Sequence, residues 1–353
     1  MKAQKLELGT EEFDEIIEDI KQKNLSRNHM PKLVVGTGLS ICYGVPGMSA
    51  LATYLNRKIV SSKDDSLIDM WKMHYPVIKK NGLEAGLANL RQEEMVLVDK
   101  IKEYTAGYIL KKEEEMHDDI YNSEKGFSKL LRYLSRTVSY NYRVIDIMTP
   151  NYDRIIELLC DKLGLGVITG FFGSTYCQFN REILNTPTTF YNCKENTWVR
   201  IFKPHGSINW VHEDKTEYLT NNYNVLKDKT KYIEIVTPGS LKHREGMINN
   251  TFRCMREDFN TILRSERDYS LFIYGYGFND EHFDIAIEDS FDRNVLILAK
   301  DVKAEIIQMA IDNKNITIFY SESKKDYMIY KSRKYLVDAP LWNIDVFAET
   351  FLG

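Results

Sequence analysis

Three short polar motifs carry residue types that can do chemistry together. They are Gly36-Thr37-Gly38-Leu39-Ser40, Thr149-Pro150-Asn151-Tyr152-Asp153 and Lys203-Pro204-His205-Gly206. The first has the glycines that let a backbone turn tightly against a diphosphate, plus a hydroxyl at Ser40. The second offers an amide and a carboxylate two residues apart. The third offers an imidazole whose ordinary pKa, roughly 6.5, suits a base near neutral pH. A fourth stretch, Tyr274-Gly275-Tyr276-Gly277-Phe278-Asn279-Asp280, repeats the glycine logic and could seat the ribose or adenine end of a dinucleotide. Each motif also has a plainer reading. Gly36-x-Gly38 lacks the third glycine of a dinucleotide fingerprint, because position 41 is Ile, and it also suits a turn with no ligand. Asn151, Asp153 and Asp280 suit helix caps. A lone histidine is most often structural.

The elements that must position these motifs can be read around them. Leu33-Val34-Val35, Val144 to Met148 and Val199 to Phe202 are apolar runs that end at the first three motifs. In an open α/β sheet, ligands bind outside the carboxyl ends of the strands. Further strands are expected at Tyr232 to Val236, Ser270 to Tyr274, Asn294 to Leu298 and Ile316 to Tyr320. Helical spacing marks Glu11 to Lys23, Met48 to Ile59, Asp153 to Leu163, Thr251 to Arg267, Asp280 to Asp289 and Val302 to Ile311. Gly164 and Gly166 are expected to end the third of these. Strands alternating with helices predict an α/β fold: a Rossmann-like, mostly parallel sheet covered by helices on both faces. Residues ~60 to 140 read as charge-rich amphipathic helices, interrupted near Pro76 and Asn81-Gly82. They predict a helical insertion after the first strand of the sheet, within a single domain spanning residues 1–353. Residues ~170 to 230 read as loops and short strands around His205.

The bulk numbers narrow the class. The 353 residues are 43% hydrophobic and 28% charged, with a net charge of −4. That balance gives no general attraction to nucleic acid or to an anionic membrane. The basic cluster Lys324, Lys325, Lys331, Arg333 and Lys334 reads as a solvated face. The five cysteines are scattered, without a C-x-x-C pair, which argues against a disulfide framework and a structural zinc. The remaining histidines show no metal-ligand spacing, so no metal is expected. No stretch approaches the ~18 apolar residues of a membrane span. The expectation is a cytoplasmic protein.

Together the motifs resemble the sirtuin family, and within it the sirtuin-like NAD hydrolases of bacterial anti-phage defence. Gly36-Thr37-Gly38-Leu39-Ser40 is similar to the family's G-A-G-x-S, and Gly44-Val45-Pro46 to the following G-I-P. Thr149-Pro150-Asn151-Tyr152-Asp153 is similar to T-Q-N-x-D, and Pro204-His205-Gly206 to L-H-G. Gly275 to Asp280 stand where the family has a late glycine turn that binds the cofactor. The resemblance spans roughly residues 30 to 320. It implies a sheet that binds NAD and cleaves the nicotinamide–ribose bond, with NAD as the substrate. By resemblance, Asn151 would position a water or the nicotinamide ribose, Asp153 would help hold the carboxamide, and His205 would act as general base. Gly36, Gly38 and Ser40 would face the phosphates, and Gly275, Gly277 and Asp280 would contact the rest of the dinucleotide.

Two departures matter. Sirtuin deacylases carry a four-cysteine zinc ribbon, and this chain has no such ligand set. Gly47-Met48-Ser49 stands where G-I-P is usually followed by Asp-Phe-Arg, which removes an acid from the nicotinamide pocket. Both count against protein deacylation. A deacylase, an ADP-ribosyltransferase and a non-catalytic NAD or ADP-ribose module stay open beside the hydrolase. The resemblance also implies a trigger: a homo-oligomer, or a companion such as a HerA-type ATPase or a nucleotide-sensing protein. The stretch after Tyr320 leaves little room for a sensor domain. Trp342, Val346, Phe347 and Phe351 there suit either a core contact or an interface.

Overall fold

Apolar runs form the centre of the sheet because they are buried on both faces. The computed structural model describes residues 3–88, 90–214, 216–239, 249–266, 268–278 and 281–352. Its strands are β1 (Gln4–Leu6), β2 (Met30–Val35), β3 (Val144–Met148), β4 (Gly166–Ile168), β5 (Phe171–Phe172), β6 (Gln178–Phe179), β7 (Trp198–Phe202), β8 (Gly206–Glu213), β9 (Thr216–Leu219), β10 (Ile233–Ile235), β11 (Tyr269–Tyr274), β12 (Val295–Leu298), β13 (Ile316–Glu322), β14 (Lys325–Tyr330) and β15 (Arg333–Val337). Ten of them make the main sheet, in the order β1-β15-β14-β13-β12-β11-β2-β3-β7-β4. From β13 to β4 every neighbouring pair is parallel. Successive side chains of a strand point to opposite faces. Accordingly Leu33 and Val35 of β2 enter one core, while Val34 enters the other. Phe272 and Tyr274 of β11 divide from Leu271 and Ile273 in the same way. Both faces are covered, as an all-parallel region requires.

The helices before β3 are α1 (Glu11–Asn24), α2 (Thr37–Cys42), α3 (Met48–Val60), α4 (Asp65–Asn81), α5 (Leu83–Gly86), α6 (Met95–Glu115), α7 (His117–Tyr121) and α8 (Gly126–Thr137), and α9 (Ile155–Leu163) follows it. The apolar stripe of α1 (Phe13, Ile16, Ile17 and Ile20) is buried, and Thr10 caps the helix by accepting from the Phe13 N–H at 3.3 Å. Gly164 ends α9 in the left-handed region at φ 66°, as the sequence predicts.

A helical segment does lie between β2 and β3, with a core of its own. Leu51 and Leu55 of α3, Leu67 and Trp71 of α4, and Leu97 and Val98 of α6 pack together there. This core starts at α3, earlier than the residue-60 boundary read from the sequence. The second half of α6 and α8 leave it, because Ala106, Ile109, Leu110, Leu130 and Leu134 pack against the sheet. The helix α4 runs through Pro76 and stops at Gly82, so only the second expected interruption exists.

Two regions depart from the expected pattern. Tyr232 to Val236 gives β10, but it pairs antiparallel with β8 in a separate three-stranded ribbon of β10, β8 and β9. The last strands, β14 and β15, form an antiparallel extension of the sheet, and β1 adds parallel to β15 at its edge. Phe347 and Phe351, on the helix Ile344–Leu352, are buried in the main core, with Phe347 stacked on Phe351 at 4.1 Å. The core reading of these C-terminal aromatics therefore holds.

Candidate functional site

The strands β11, β2, β3 and β7 lie side by side and parallel. From β2 the chain moves to β3 on one side, and it later returns on the other side as β11. The strand order therefore switches between β2 and β11, where an open α/β sheet opens a crevice at its carboxyl ends. All four polar turns stand at these ends.

Hydrogen bonds draw the turns together. The N–H of Gly36 donates to the Tyr274 carbonyl at 2.9 Å, and that of Gly38 to the Gly275 carbonyl at 3.0 Å. Asn151 Nδ2 donates to the Gly36 carbonyl at 2.9 Å. The Ser40 hydroxyl donates to Asp153 Oδ2 at 2.6 Å. The Thr149 N–H donates to the Phe202 carbonyl at 2.9 Å, which sets the second turn against the third.

The glycines have a packing reason. A Cβ at Gly36 would stand 2.4 Å from the Gly275 oxygen, and one at Gly38 would stand 2.6 Å from the Gly275 Cα. Gly275 itself has φ +59°. These three glycines form a seam between the β2 and β11 turns, and the N–H groups of Gly36 and Gly38 are used within it.

Asp153 is buried among opposing influences. Burial pushes its carboxyl up to about 6, while the Lys203 ammonium and the Ser40 hydroxyl pull it down and the Glu113 carboxylate adds to the rise. Lys203 is itself buried, with its Nζ donating to the Asp153 carbonyl and to Ser207 Oγ at 3.1 Å, and pairing with Glu157 at 2.9 Å. Behind the turn, Arg154 and Glu113 form a buried ion pair at 2.5 Å, with Tyr223 donating to Glu113 at 3.0 Å. The His205 backbone is fixed on both sides. Its carbonyl accepts from the Val236 N–H at 2.9 Å, and the Gly206 N–H closes the turn onto the Lys203 carbonyl at 3.0 Å. A Cβ at Gly206 (φ +78°) would meet the Glu234 carbonyl oxygen at 2.1 Å.

These turns line a cavity of about 480 Å³, within the ~300–1,000 Å³ of small-molecule sites. Ser40, Asn151, Asp153 and His205 line it together, beside apolar Val45, Met48, Leu51 and Ile109. Asn81 to Ala85, from the corner between α4 and α5, close part of it. Tyr276, Gly277 and Lys303 line it as well. Of the residues singled out in the sequence, Gly36, Gly38 and Gly275 sit behind this wall, and Asn279 and Asp280 lie outside the described residues. Among the described residues, no group of three or more His, Cys, Asp or Glu could hold a metal ion. Nor is any of their helices long and apolar enough to cross a membrane.

Residues 146–318 match the SIR2-like domain. The SIR2-like match runs from β3 into β13, and it contains the turns of Asn151, His205 and Gly275. The β2 turn and the helical segment precede it. No curated protein matches the chain. The SIR2-like match points to a sirtuin-like, NAD-related function, in keeping with the Rossmann-like sheet.

Several residues of this site carry little or no mark in the sequence. Glu113 had a signal, because Ala106, Ile109, Leu110 and Glu113 share one helical stripe, which puts a carboxylate on a buried face. Lys203 had a weaker one, as a lysine ending an apolar strand. Nothing local marks Asn81 to Ala85 or Lys303 as cavity residues.

Proposed function

We propose that the cavity binds NAD⁺ and hydrolyses its nicotinamide–ribose bond. The observation that carries the reading is the meeting of Ser40, Asn151, Asp153 and His205 on one cavity at the strand switch of a SIR2-like chain. In the reaction the C1′–N1 bond breaks and its electron pair passes to the nicotinamide ring nitrogen, which leaves neutral. Water adds to C1′ and loses a proton, so the products are nicotinamide, ADP-ribose and H⁺. The transition state resembles an oxocarbenium ion, as in glycoside hydrolysis. Such a reaction needs a held leaving group, a shielded cation and a placed water.

His205 takes the proton as general base, a role that typically contributes ~10²–10⁴-fold. Asn151, its amide fixed by the bond to the Gly36 carbonyl, places the water or the nicotinamide ribose. Asp153 holds the carboxamide, and Ser40 orients Asp153 from below. Gly277 and Lys303 serve the other end of the dinucleotide, and the cation at Lys303 suits its phosphates. The apolar wall excludes bulk water from the cation.

An unregulated enzyme of this kind would drain its own cell of NAD⁺. The activity is therefore gated, by homo-oligomer assembly or by a companion protein such as a HerA-type ATPase or a nucleotide sensor. The role that fits is an anti-phage defence effector of the bacterial cytoplasm. Steady turnover by a purified monomer would count against the gate.

The test is incubation of the purified chain with NAD⁺, with products resolved by chromatography. His205→Ala and Asn151→Ala are expected to lower turnover at least ~10²-fold with circular dichroism unchanged. Near-wild-type turnover in both would overturn the site assignment.

A further inference from the structure

Lys203 stands at the carboxyl end of β7, two residues before His205, and its side chain is 1% exposed. Dehydrating an ammonium is expensive unless every proton finds an acceptor. Here the acceptors come from three different segments. They are the carbonyl of Asp153 on the β3 turn, the Ser207 hydroxyl beyond the His205 turn at 3.1 Å, and Glu157 on α9 at 2.9 Å. A strand end needs no such group, because an apolar side chain would fill the space at lower cost. What the ammonium supplies is a tie between the turn that carries Asn151 and Asp153 and the turn that carries His205.

We propose that Lys203 is the positioning residue of this cavity, holding the Asp153 carbonyl to the Lys203–Ser207 turn so that Asp153 and His205 face the bound substrate from fixed places. It touches neither the cavity nor the reacting atoms; the lining is formed by its neighbours.

Its charge has a second effect. The groups that face Asp153 are the Ser40 hydroxyl from α2, the Ile155 N–H at the start of α9, the Glu113 carboxylate from α6 and Lys203. Arg154 offsets Glu113, and Glu157 offsets part of Lys203. His205, Glu84 and Lys303 share the cavity. In this set Lys203 is the cation that favours the ionised carboxylate. Removing it leaves Asp153 facing Glu113 with less compensation, and the carboxyl then ionises only at higher pH.

The experiment compares the full chain with Lys203→Gln, which keeps a donor but lacks the charge, and with Lys203→Arg, which keeps the charge. Asp153 is titrated in the free protein by ¹³C NMR of aspartate carboxyls, assigned with Asp153→Asn. This arm needs no turnover, so it stands even if the hydrolase reading fails; only the kinetic arm rests on that reading. The wild-type midpoint is expected near 6. Lys203→Gln should raise it by ~1–3 pH units, and Lys203→Arg should return it to the wild-type value. In the kinetic arm, Lys203→Gln should lower kcat at neutral pH at least ~10-fold, shift the acid limb of the pH profile upward with the midpoint, and leave KM little changed. An unmoved midpoint in folded Lys203→Gln would overturn the proposal. So would equal displacement in both variants. Misfolding of both would overturn it too, because that result assigns Lys203 to the fold alone.

Discussion

Replacing Asp153 by asparagine should make the protein more stable at pH 8 while damaging its activity. The carboxyl is 5% exposed and ionises at about 6, against 3.8 in an open chain. The sign follows from the direction of this rise. A carboxyl whose folded value lies above its unfolded one contributes stability that is fully present below pH 3.8, and that stability is lost as pH climbs through about 6. A rise of that size is worth about 3 kcal/mol at ~1.4 kcal/mol per pH unit. Asparagine keeps an oxygen to accept from Ser40 at 2.6 Å, and Lys203 bonds the main-chain carbonyl, which the substitution leaves in place. What is lost is the 3.4 Å bond from the Ile155 N–H, which then faces an NH₂ group; that costs about 1 kcal/mol. The expected net gain at pH 8 is about 2 kcal/mol, shrinking toward zero and then reversing as the pH falls to 4. Urea unfolding of both proteins across pH 4 to 8 reads this difference, since every other titrating group is shared. Turnover of NAD⁺ should fall at least ~10-fold despite the gain in stability. A stability difference that stays constant with pH, or an asparagine variant less stable at pH 8, would refute the account of a carboxylate held ionised against its surroundings.

The remaining predictions concern the seam and the C-terminal helix. Gly38→Ala puts a methyl 2.6 Å from the Gly275 Cα, so it should cost ~1–3 kcal/mol by overpacking and displace the β2 turn from Asn151 and Ser40. Unchanged melting and turnover would show that the seam has slack. Phe347→Ala removes a fully buried ring that lies 4.1 Å from Phe351 and 5.8 Å from Phe272. It should cost ~3–5 kcal/mol in chemical unfolding, while turnover per folded molecule stays at the wild-type value; a small loss of stability would mean that this helix is not part of the core.

Much of the architecture was legible because it rests on local pattern. The strands β2, β3, β7 and β11 are apolar for most of their length, as buried parallel strands must be, and each runs into one of the four polar turns. What was not legible depends on contacts between distant segments. The edge strand β1 has three residues, only Leu6 of them buried, and exists because Gln4 to Leu6 meet Tyr335 to Val337. The run at β10 has strand propensity, but propensity does not say which sheet a strand joins. The passage of α4 through Pro76 likewise has no local signal, since a proline in a helix is tolerated where packing on Trp71 and Ile78 outweighs the lost hydrogen bond.

The glycines of the first motif show where pattern stops deciding. A turn that cradles a diphosphate and a turn that packs against another backbone both require a residue without a side chain, so the sequence is the same for both. The geometry separates them by asking where the N–H groups go. Those of Gly36 and Gly38 go to Tyr274 and Gly275, so their contribution to a ligand is indirect. They hold the β2 and β11 turns close enough for Ser40, Asn151 and Gly277 to share one wall. On the proposed reading, recognition of the substrate's phosphates falls to side chains such as Lys303 that no motif contains, and the dinucleotide's hold on the protein would depend more on cavity shape and charge than on a glycine fingerprint.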